Sequence, residues 1–407
     1  MTELRVIIMG GGIGGLALAQ RLRRAGIGVE VYERDVELTG RASGYRLHVN
    51  PAGSRALHAL LPAGLWQAFV ATAGPGGDFG LLTEQLDELV VVDEATMYPG
   101  RVAGPAADHY SVDRGVLRAL LLAGLGRELR FGAEFVRYSR EPDGRVAAVF
   151  ADGQRAVGDL IVGADGAGSR VRRQLLPGAD PVDAGIGSIG HKLYLDPDTR
   201  AWVPPRLQRG MNAIVVDGPV TLFTSVFEPP VGAPGALREA TGSDDATAAG
   251  EPYVLCALLA RPEVLPDDLL ELDSDALRHL VSGLVTRWHP DLRRLLAASD
   301  PTSRTAFRFT ASPPVSPWTP SAVTLFGDAI HTMPPIGGLG ANTALRDASL
   351  LTRVLTEVAR GRVGLRDGVA RYEQEVRVHG DAAVRAALAG RDHMLGGGPL
   401  ATTVART

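Results

Sequence analysis

A run of glycines near the beginning of the sequence could hold a dinucleotide by its phosphates. The run Gly10-Gly-Gly12-Ile-Gly-Gly15 follows a short β-branched apolar stretch and opens a helical pattern of leucines and alanines. Glycine is needed at position 10 for a tight turn, at 12 so that backbone can approach a pyrophosphate, and at 15 for close packing of helix on strand. The free amides and the positive end of the helix dipole would then face the phosphates.

A carboxylate completes this dinucleotide pattern. Glu33 ends a second predicted strand that begins at Gly28, and a carboxylate there can accept hydrogen bonds from ribose hydroxyls. The alternative is that the glycines only shape a turn and that Glu33 is a solvated strand end. Because strand, glycine turn, helix, strand and terminal acid occur in order, the sequence favours a βαβ unit that binds a dinucleotide.

Two further junctions between a strand and a loop carry acidic residues and glycines. The first contains Gly-Ala-Asp165-Gly, and the second contains Gly-Asp328 followed by a Pro/Gly loop that ends near Asn342. Either aspartate could be no more than a turn former or a helix cap. Beyond a pyrophosphate site, however, the two carboxylates could hold a polyol chain, and the glycine loop could bring backbone amides to a planar ring.

The elements predicted along the chain divide it into parts with different secondary structure. The opening strands and helices indicate an α/β region, whereas β-branched stretches between about Gly185 and Ala260 indicate a mainly antiparallel sheet. Helical periodicity returns after Asp273 and dominates the C-terminal part. A chain of 407 residues is longer than the roughly 250–300 residues that one core usually holds, so two domains are expected.

Composition and charge exclude several classes of protein. The 42 basic and 46 acidic residues give a net charge of −4 without a basic stripe, so no nucleic-acid partner is expected. The single cysteine, Cys256, excludes an internal disulfide and a zinc site built on several cysteines; we expect no metal and a cytoplasmic location. The apolar run at residues 6–19 is shorter than the roughly 20 residues of a membrane span, so no membrane partner is expected.

Taken together, the three motifs resemble those of the FAD-dependent aromatic hydroxylases, the group A single-component flavoprotein monooxygenases. The resemblance runs from Arg5 to about Asp347. It implies an α/β fold with a Rossmann-like FAD-binding domain, a second, mainly antiparallel β-sheet substrate domain, and C-terminal helices. The implied bounds are 1–178 for the FAD-binding domain, with 302–348 returning to it, 179–301 for the substrate domain, and 349–407 for the C-terminal helices and tail.

The same resemblance implies a function and its cofactors. In this family NADPH or NADH reduces FAD, and a flavin hydroperoxide formed with O2 hydroxylates an apolar aromatic or polycyclic small molecule. Natural-product tailoring or antibiotic modification is the implied setting, and a monomer or homodimer is expected. A dry, mostly apolar chamber over the ring would keep water from the reactive oxygen.

Site residues follow from the resemblance, position by position. The implied cofactor-binding residues are Gly10, Gly12, Ile13, Gly14, Gly15, Glu33, Arg34, Arg41, Arg114, Asp165, Asp328, Pro335, Gly338, Leu339, Gly340, Ala341 and Asn342. The flavin-side candidates for catalysis are His48, Pro335 and Gly337. Arg46 lies in the segment that would pass beside the flavin ring and could contact flavin, nicotinamide or substrate.

A hydroxylase of phenols needs a base for the substrate hydroxyl, and histidine suits that task near neutral pH. His48 follows the flavin-side segment, while His191 and Tyr194 lie on a predicted strand of the second domain. Taken singly, a residue of this kind is more often structural than catalytic, so the structural role stays open for all three. His331 is expected to support the flavin loop rather than to transfer protons.

Other interpretations of the motifs remain open. A NAD-dependent dehydrogenase would explain the glycine turn but not the Gly327-Asp328 loop. A flavin halogenase would need a lysine near its substrate, and Lys192 is the only lysine in the chain. A flavoprotein reductase of the same fold, or an FAD-binding protein with a non-redox cyclase role, fits the same motifs. NAD(P)H oxidation stimulated by substrate would distinguish a monooxygenase from the cyclase.

Overall fold

The computed structural model of the chain describes residues 4–36, 45–242 and 251–396. Its strands are β1 (Arg5–Met9), β2 (Gly28–Tyr32), β3 (Arg46–Val49), β4 (Gly74–Pro75), β5 (Phe79–Thr83), β6 (Glu88–Val92), β7 (Tyr110–Asp113), β8 (Leu129–Arg130), β9 (Phe135–Arg140), β10 (Val146–Phe150), β11 (Arg155–Gly158), β12 (Leu160–Gly163), β13 (Val182–Tyr194), β14 (Met211–Val215), β15 (Val220–Phe227), β16 (Tyr253–Ala260), β17 (Thr305–Ala311) and β18 (Val323–Leu325).

The α-helices alternate with these strands at first and then dominate the C-terminal part. They are α1 (Ile13–Arg24), α2 (Pro51–Leu60), α3 (Ala63–Thr72), α4 (Glu94–Met97), α5 (Arg114–Leu122), α6 (Arg170–Leu175), α7 (Pro197–Trp202), α8 (Ala233–Thr241), α9 (Ser274–Leu284), α10 (Pro290–Ala298), α11 (Asp328–His331), α12 (Leu339–Ala359) and α13 (Leu365–Gly396). A short 3-10 turn at Ile336–Gly338 precedes α12.

A five-stranded sheet in the order β18-β12-β1-β2-β8 forms the centre of the first part. β1 pairs in parallel with β2 and β12, and β12 pairs in parallel with β18. Strands buried on both faces have nearly continuous apolar sequences, as β1 and β12 do. The three sequence motifs begin where β1, β12 and β18 end. They therefore meet at the carboxyl edge of one sheet, where open α/β sheets bind ligands.

A seven-stranded sheet in the order β17-β13-β16-β15-β14-β5-β6 forms the second part. Its pairings are antiparallel except between β14 and β5, which run parallel. It takes strands from residues 79–92 and 305–311 as well as from the predicted segment 179–301. The chain therefore passes between the two parts more often than the change in predicted secondary structure along the sequence indicates.

The two faces of the seven-stranded sheet have different neighbours. Ile189, Cys256 and Leu258 lie on one face and belong to an apolar cluster with α9 and α10. Leu259 lies on the opposite face and packs with Ile336 of the Pro/Gly loop. We call this opposite face the chamber face; it carries Gly190, Lys192, Phe223, Tyr253, Leu255 and Phe307, because side chains alternate along strands and paired residues share a face.

The 32-residue helix α13 spans both parts of the molecule. Tyr372 Oη donates to Leu325 O (2.9 Å) on the parallel sheet, and Thr221 Oγ1 on the seven-stranded sheet donates to Met394 O (2.7 Å) near the other end of the helix. The predicted fold class, with its C-terminal helices, is confirmed. Within the three described ranges, no helix is both long enough and apolar enough to cross a bilayer.

Candidate cofactor and active site

The glycine turn after β1 has the shape that a pyrophosphate site needs. Gly10 has a φ of +112°, and a Cβ there would lie 2.2 Å from the carbonyl oxygen of Ala164, so glycine is required. A Cβ at Gly15 would lie 2.3 Å from Gly10 O, so α1 packs directly on the turn. A Cβ at Gly12, the N-cap of α1, would meet no described heavy atom within 4 Å. Open space therefore lies before the free amides of α1.

The first turn of α1 is held against the end of β18. Ile13 and Gly14 are the first two helical residues, and both are buried. A Cβ at Gly14 would lie 2.4 Å from Cε1 of Phe326. This close packing joins the glycine turn to the junction that carries Asp328.

Glu33 lies at the end of β2 beside the glycine turn and is 9% exposed. The Gly11 N–H donates to Glu33 Oε2 (2.8 Å), and the Asp35 N–H donates to Oε1 (3.0 Å). Arg118 of α5 lies 3.7 Å from Oε2 and donates to Gly11 O (3.1 Å). The carboxylate is thus held at the rim of the turn. Arg34 is exposed, 4.0 Å from Asp35.

Asp165 follows β12 and caps α6. Ser169 Oγ donates to Asp165 Oδ1 (2.5 Å), and the N–H groups of Arg170 and Val171 donate to Oδ2 (2.8 and 3.2 Å). Burial raises the pKa of the carboxyl group, and these hydrogen bonds oppose that shift. Asp165 therefore supports the beginning of α6 beside its N-cap Ser169, and its backbone borders the turn at Gly10.

Asp328 opens α11 directly after β18. The residue is solvent-accessible, yet desolvation by the surrounding protein raises the pKa of its carboxyl group. His331 and Arg114 oppose that shift, so both cationic groups lie near the carboxylate. A group that is both accessible and desolvated lies at the bottom of a recess. Arg114 is the first residue of α5, so elements from distant parts of the chain place opposite charges there.

The Pro/Gly loop between α11 and α12 presents backbone rather than side chains. Pro335 and Gly337 are exposed. Gly337 and Gly338 have φ angles of +74° and +63°, a conformation that glycine adopts without strain. The loop therefore makes a tight turn that leaves Pro335 and Gly337 accessible.

The beginning of α12 points into the same cleft as Asp328. Gly338 is the N-cap of α12, and the first three residues of the helix, Leu339, Gly340 and Ala341, are half-buried. A Cβ at Gly340 would lie 3.9 Å from Asp328 Oδ1. The first N–H groups of a helix have no partner within the helix, so they can bind an electron-rich or anionic group in the cleft.

Asn342 joins the beginning of α12 to the end of β3. Its Nδ2 donates to His48 O (2.8 Å) and to Gly338 O (2.7 Å), and its Oδ1 accepts from the Asn50 N–H (3.0 Å). A Cβ at Gly53 would lie only 1.9 Å from Oδ1, so the contact depends on glycine. Asn342 therefore fixes the Pro/Gly loop beside His48.

His48 forms a partly buried polar pair with Tyr98 at the edge of this loop. A Cβ at Gly338 would lie 3.2 Å from His48 Cβ, and His48 Nε2 lies 2.7 Å from Tyr98 Oη. The His109 ring packs edge-on against His48, with centroids 4.6 Å apart. Burial, together with Arg46 and His109, holds the pKa of His48 well below its usual range, and burial raises the pKa of Tyr98 to about 12. The pair is therefore uncharged near neutral pH.

Tyr98 is a candidate that the sequence did not reveal, because no motif surrounds it.

Of the two arginines expected beside the flavin, Arg41 and Arg46, only Arg46 belongs to the residues that the structure describes. Arg46 is buried; its Nε donates to Ser111 Oγ (2.7 Å) and its Nη2 donates to Gly76 O (3.2 Å), so it fixes strands rather than facing the cleft. Arg41 lies outside the described residues.

Aromatic side chains line the chamber face opposite the Pro/Gly loop. The rings of Phe307 and Phe309 stack with centroids 6.0 Å apart, and Tyr45 packs edge-on against Phe307. Tyr45 Oη donates to Gly190 O (2.8 Å), which fixes the ring on the sheet. Phe309 and Leu339 pack against the same apolar cluster. The loop and the aromatic face therefore lie next to each other.

His191 does not face the cleft. It pairs with Cys256 in the β13–β16 register and points into the cluster on the other side of the sheet, where its exposure is 0%. Neither ring nitrogen has a hydrogen-bond partner among the described residues, and burial lowers its pKa to about 3. Of the two roles weighed for His191, the structure therefore supports the structural one, because strand alternation places its side chain away from the chamber face. Tyr194 is on the chamber face but at its exposed end.

A buried charge cluster links the chamber face to α5. Lys192 Nζ lies 3.5 Å from Asp113 Oδ2 and 4.3 Å from the centroid of the Tyr253 ring, and Tyr253 Oη donates to the same oxygen (2.9 Å). Asp113 Oδ1 accepts from the Gly115 N–H (2.8 Å) and so caps α5. The cap places Arg114 beside Asp328. From the sequence, Lys192 could be weighed only as a halogenase residue, because its partners come from distant segments.

The groups around the cleft fit FAD. The open space at Gly12 before free helix amides suits a pyrophosphate, the recessed Asp328 suits a hydroxylated chain, and the glycine loop at 337–340 suits a flat ring against backbone. The described residues offer no comparable site for a metal ion. Among the residues that the structure describes, no group of three or more His, Cys, Asp or Glu side chains could hold an ion.

Comparison with known proteins gives consistent results. Residues 3–190 and 284–387 match the family model described as "FAD binding domain". The dual O-methyltransferase/FAD-dependent monooxygenase elcB of Phaeosphaeria nodorum is 32% identical over 380 residues, which are 88% of this chain and 40% of the relative. The chain thus spans about two fifths of the length of that relative. Aurachin C monooxygenase/isomerase of Stigmatella aurantiaca is 29% identical over 384 residues, 93% of this chain and 86% of the relative.

A solved structure extends the likeness to nearly the whole chain. It is a protein of Photorhabdus luminescens subsp. laumondii TTO1, provisionally assigned as an FAD-containing monooxygenase, with a TM-score of 0.86 and 33% identity. The alignment covers 98% of this chain and 100% of that one. Because the family model matches well over half of the residues and the cleft fits the cofactor, the chain belongs to the FAD binding domain family, and FAD is its cofactor.

Proposed function

We propose that the chain is an FAD-dependent monooxygenase that uses NAD(P)H and O2 to hydroxylate an apolar aromatic or polycyclic small molecule. The observation that carries the proposal is that the Pro/Gly loop and the aromatic chamber face pack on the same apolar cluster, through Ile336 and Phe309. A ring held on that loop would lie beside an apolar surface. Such an arrangement keeps water from a reactive oxygen species and presents a flat substrate to it.

FAD, when bound, supplies the activation of O2. The protein's part is to bind, orient and shield. The amides at the beginning of α12 would stabilise negative charge on the reduced ring, since preorganised donors at developing charge are often a large catalytic contribution. Asp328 and Arg114 would orient the hydroxylated chain of the cofactor, and Gly12 would admit the pyrophosphate. The other cofactor-binding residues implied by the family resemblance keep their roles as part of this proposal.

The His48–Tyr98 pair would bind and orient a substrate hydroxyl. The 2.7 Å separation allows the Tyr98 hydroxyl to donate to His48 Nε2, and the lowered pKa of His48 keeps the imidazole neutral, so that Nε2 accepts this hydrogen bond. A substrate hydroxyl next to Tyr98 would donate a hydrogen bond to the tyrosine oxygen, which draws its proton away from the substrate oxygen without transferring it to the imidazole. This polarisation makes the aromatic ring richer in electrons and so easier to oxygenate.

The choice of substrate class is supported by the relatives together with the chamber. The aurachin C and elcB enzymes are named monooxygenases, and a relative from Pseudomonas fluorescens with 26% identity is named 6-hydroxynicotinate 3-monooxygenase. The aromatic surface of Tyr45, Phe307 and Phe309 favours a flat, apolar ligand, since offset stacking adds to area burial. Natural-product tailoring is the proposed setting.

The proposal is tested by supplying heavy-isotope O2, NADPH or NADH, and a panel of aromatic polyketides and simple phenols. A monooxygenase incorporates one labelled oxygen atom into product and yields little hydrogen peroxide with its true substrate. NAD(P)H consumption with a reduced but unlabelled product would instead indicate a reductase. Product formation without NAD(P)H would indicate a non-redox cyclase, and either result overturns the proposal.

We further propose the domain division at residues 178, 301 and 348, with 79–92 and 305–311 contributing strands to the substrate sheet. A cytoplasmic monomer or homodimer without nucleic-acid or membrane partners completes the proposal. The single cysteine, Cys256, suits a reducing compartment, because it can form no disulfide within the chain.

A further inference from the structure

A buried carboxylate joins the C-terminal helix to the loop that carries Asp328. Asp347 of α12 has 0% exposure and accepts three hydrogen bonds. The Gly327 N–H donates to Oδ2 (3.0 Å), His331 Nε2 lies 2.6 Å from Oδ2, and His379 Nε2 of α13 lies 2.6 Å from Oδ1. The Asp347 side chain thus connects the turn before α11, the end of α11 and the middle of α13.

Helix α13 packs closely against the end of α11 and the Pro/Gly loop. A Cβ at Gly380, next to His379, would lie 2.9 Å from Cδ2 of His331. Further along the same helix, a Cβ at Gly390 would lie 2.7 Å from Cγ2 of Ile336. Two glycines therefore let α13 approach both ends of the loop, so the helix can fix the loop's position.

We propose that His379 is a positioning residue for FAD: by holding Asp347 in place, it fixes the Gly327 turn and therefore the Asp328 carboxylate in the cofactor cleft. His379 itself touches neither the turn nor Asp328 in the contacts described, and it acts through Asp347. The inference rests on the proposed role of Asp328 at the cofactor. It does not depend on which reaction the enzyme catalyses.

The turn at Gly327 needs such support. Gly327 has a φ of 57° and a ψ of −139°, outside the regions that regular structure uses, and its N–H is held by Asp347 Oδ2. Loss of the His379 donor would leave Oδ1 buried without a partner, and an unpaired charge in a protein interior is costly. The carboxylate would then rotate or take up a proton. Either change weakens its bond to the Gly327 N–H and releases Asp328.

The groups around Asp347 allow two roles for His379, positioning of the cofactor site or anchoring of α13, and the test must distinguish them. His331 and His379 donate to it, Tyr372 of α13 lies near enough to be affected by its charge, and the charges of Asp328 and His331 also interact. His379 could instead serve only to anchor α13. In that case its loss would lower stability without changing the cofactor.

The test compares three variants. In His379→Gln, the side chain keeps an N–H donor at about the reach of Nε2; in His379→Asn, the polar group is kept but falls short of Asp347. Thr221→Val removes another α13 bond, to Met394 O, on the chamber-face side of the molecule. For each we would measure the FAD dissociation constant by flavin fluorescence, the reduction potential of the bound flavin, and the unfolding midpoint without FAD.

We expect His379→Asn to weaken FAD binding by roughly tenfold or more and to shift the flavin potential, the scale of one lost hydrogen bond to a charged group. His379→Gln should bind FAD within about threefold of the natural protein. Thr221→Val should lower the unfolding midpoint but leave both cofactor measurements unchanged. Equal FAD affinities for the Asn and Gln variants, or an FAD loss in Thr221→Val as large as in His379→Asn, would overturn the inference. No substrate is used, so a wrong monooxygenase assignment would leave this test intact.

Discussion

Gly12 has no side chain, and the space that this leaves opens onto the free amides of α1. Its φ of −76° and ψ of 176° are ordinary for any residue, so glycine is not required there by the backbone. Gly10 and Gly15 are different, because backbone atoms of the chain occupy the position of their Cβ. Glycine at positions 10 and 15 is therefore required by the fold, whereas glycine at position 12 leaves space for the ligand.

Gly12→Ala should leave the fold intact and weaken FAD binding. We expect the unfolding free energy without FAD to change by no more than about 0.5 kcal/mol. The FAD dissociation constant should rise at least about tenfold, because the methyl group enters the pyrophosphate space. Gly64→Ala is the matched control, since the same methyl group also meets no described atom there. Equal FAD affinity in the two variants, measured by flavin titration, would contradict the assignment.

Tyr98→Phe tests the His48–Tyr98 pair. The substitution removes the hydroxyl that lies 2.7 Å from His48 Nε2 but keeps the ring. We expect kcat for a phenolic substrate to fall by about 10²-fold, a usual contribution of acid–base catalysis, while FAD affinity and the rate of flavin reduction stay unchanged. Steady-state and stopped-flow measurements would check this. A variant with natural kcat would remove Tyr98 from the mechanism.

Strand alternation decides which side chains of β13 can reach the cofactor. Gly190 and Lys192 face the chamber, whereas His191 between them faces the cluster beneath α9 and α10. His191 thus buries two polar nitrogens that have no partner among the described residues, which is costly, and it does so in uncharged form. Its folded pKa of about 3 lies below the ordinary value of 6.5, so the unfolded chain binds a proton that the folded chain does not.

His191→Leu should therefore make the protein less sensitive to acid. As pH falls below 6.5 toward about 3, His191 contributes a loss of unfolding free energy of up to about 1.4 kcal/mol per pH unit. The leucine variant lacks this contribution, and it should also be at least as stable as the natural protein at neutral pH. Denaturant unfolding across that range, with exposed His279→Gln as control, would measure both effects. Parallel pH profiles for the leucine variant and the natural protein would contradict the account.

The sequence was sufficient to predict those elements whose pattern is local. The β1–α1–β2 unit and the three strand ends with their acidic residues could be identified because the glycine turn, the apolar runs and the caps lie within short segments. The parallel pairing of β14 with β5 could not, since it joins Met211 to Phe79 through tertiary packing alone. The same reason hid Tyr98, whose partner His48 lies fifty positions away. The sequence left the role of His191 open, because a strand pattern without its paired neighbours does not show which face of the sheet each side chain occupies.

Two buried charge clusters connect distant elements of the molecule. Lys192, Asp113 and Tyr253 join the seven-stranded sheet to α5, and the Asp347 cluster joins α12 to α13. Breaking either cluster leaves a buried charge without a partner, so the two parts of the molecule are expected to unfold together. The position of the chamber relative to the cofactor therefore depends on residues outside the chamber.

His331 should give the whole molecule an alkaline limit of stability. Burial lowers the pKa of His331, but Asp347 and Asp328 raise it by more, so the net shift is above 6.5. Its contribution to stability is thus fully present below pH 6.5 and is lost as pH rises through the folded pKa. His331→Gln should flatten this alkaline decline in the unfolding free energy. A variant that keeps the natural slope would show that another group causes it.

Titration of the flavin-free protein with FAD, followed by absorbance and fluorescence, tests the central claim most directly. The account predicts binding of one FAD per chain, with the flavin spectrum altered by the loop at 337–340 and with affinity lost in Gly12→Ala. A folded protein that binds no flavin, or that binds it equally well with Gly12 and Asp328 both replaced by alanine, would contradict the placement of FAD in this cleft.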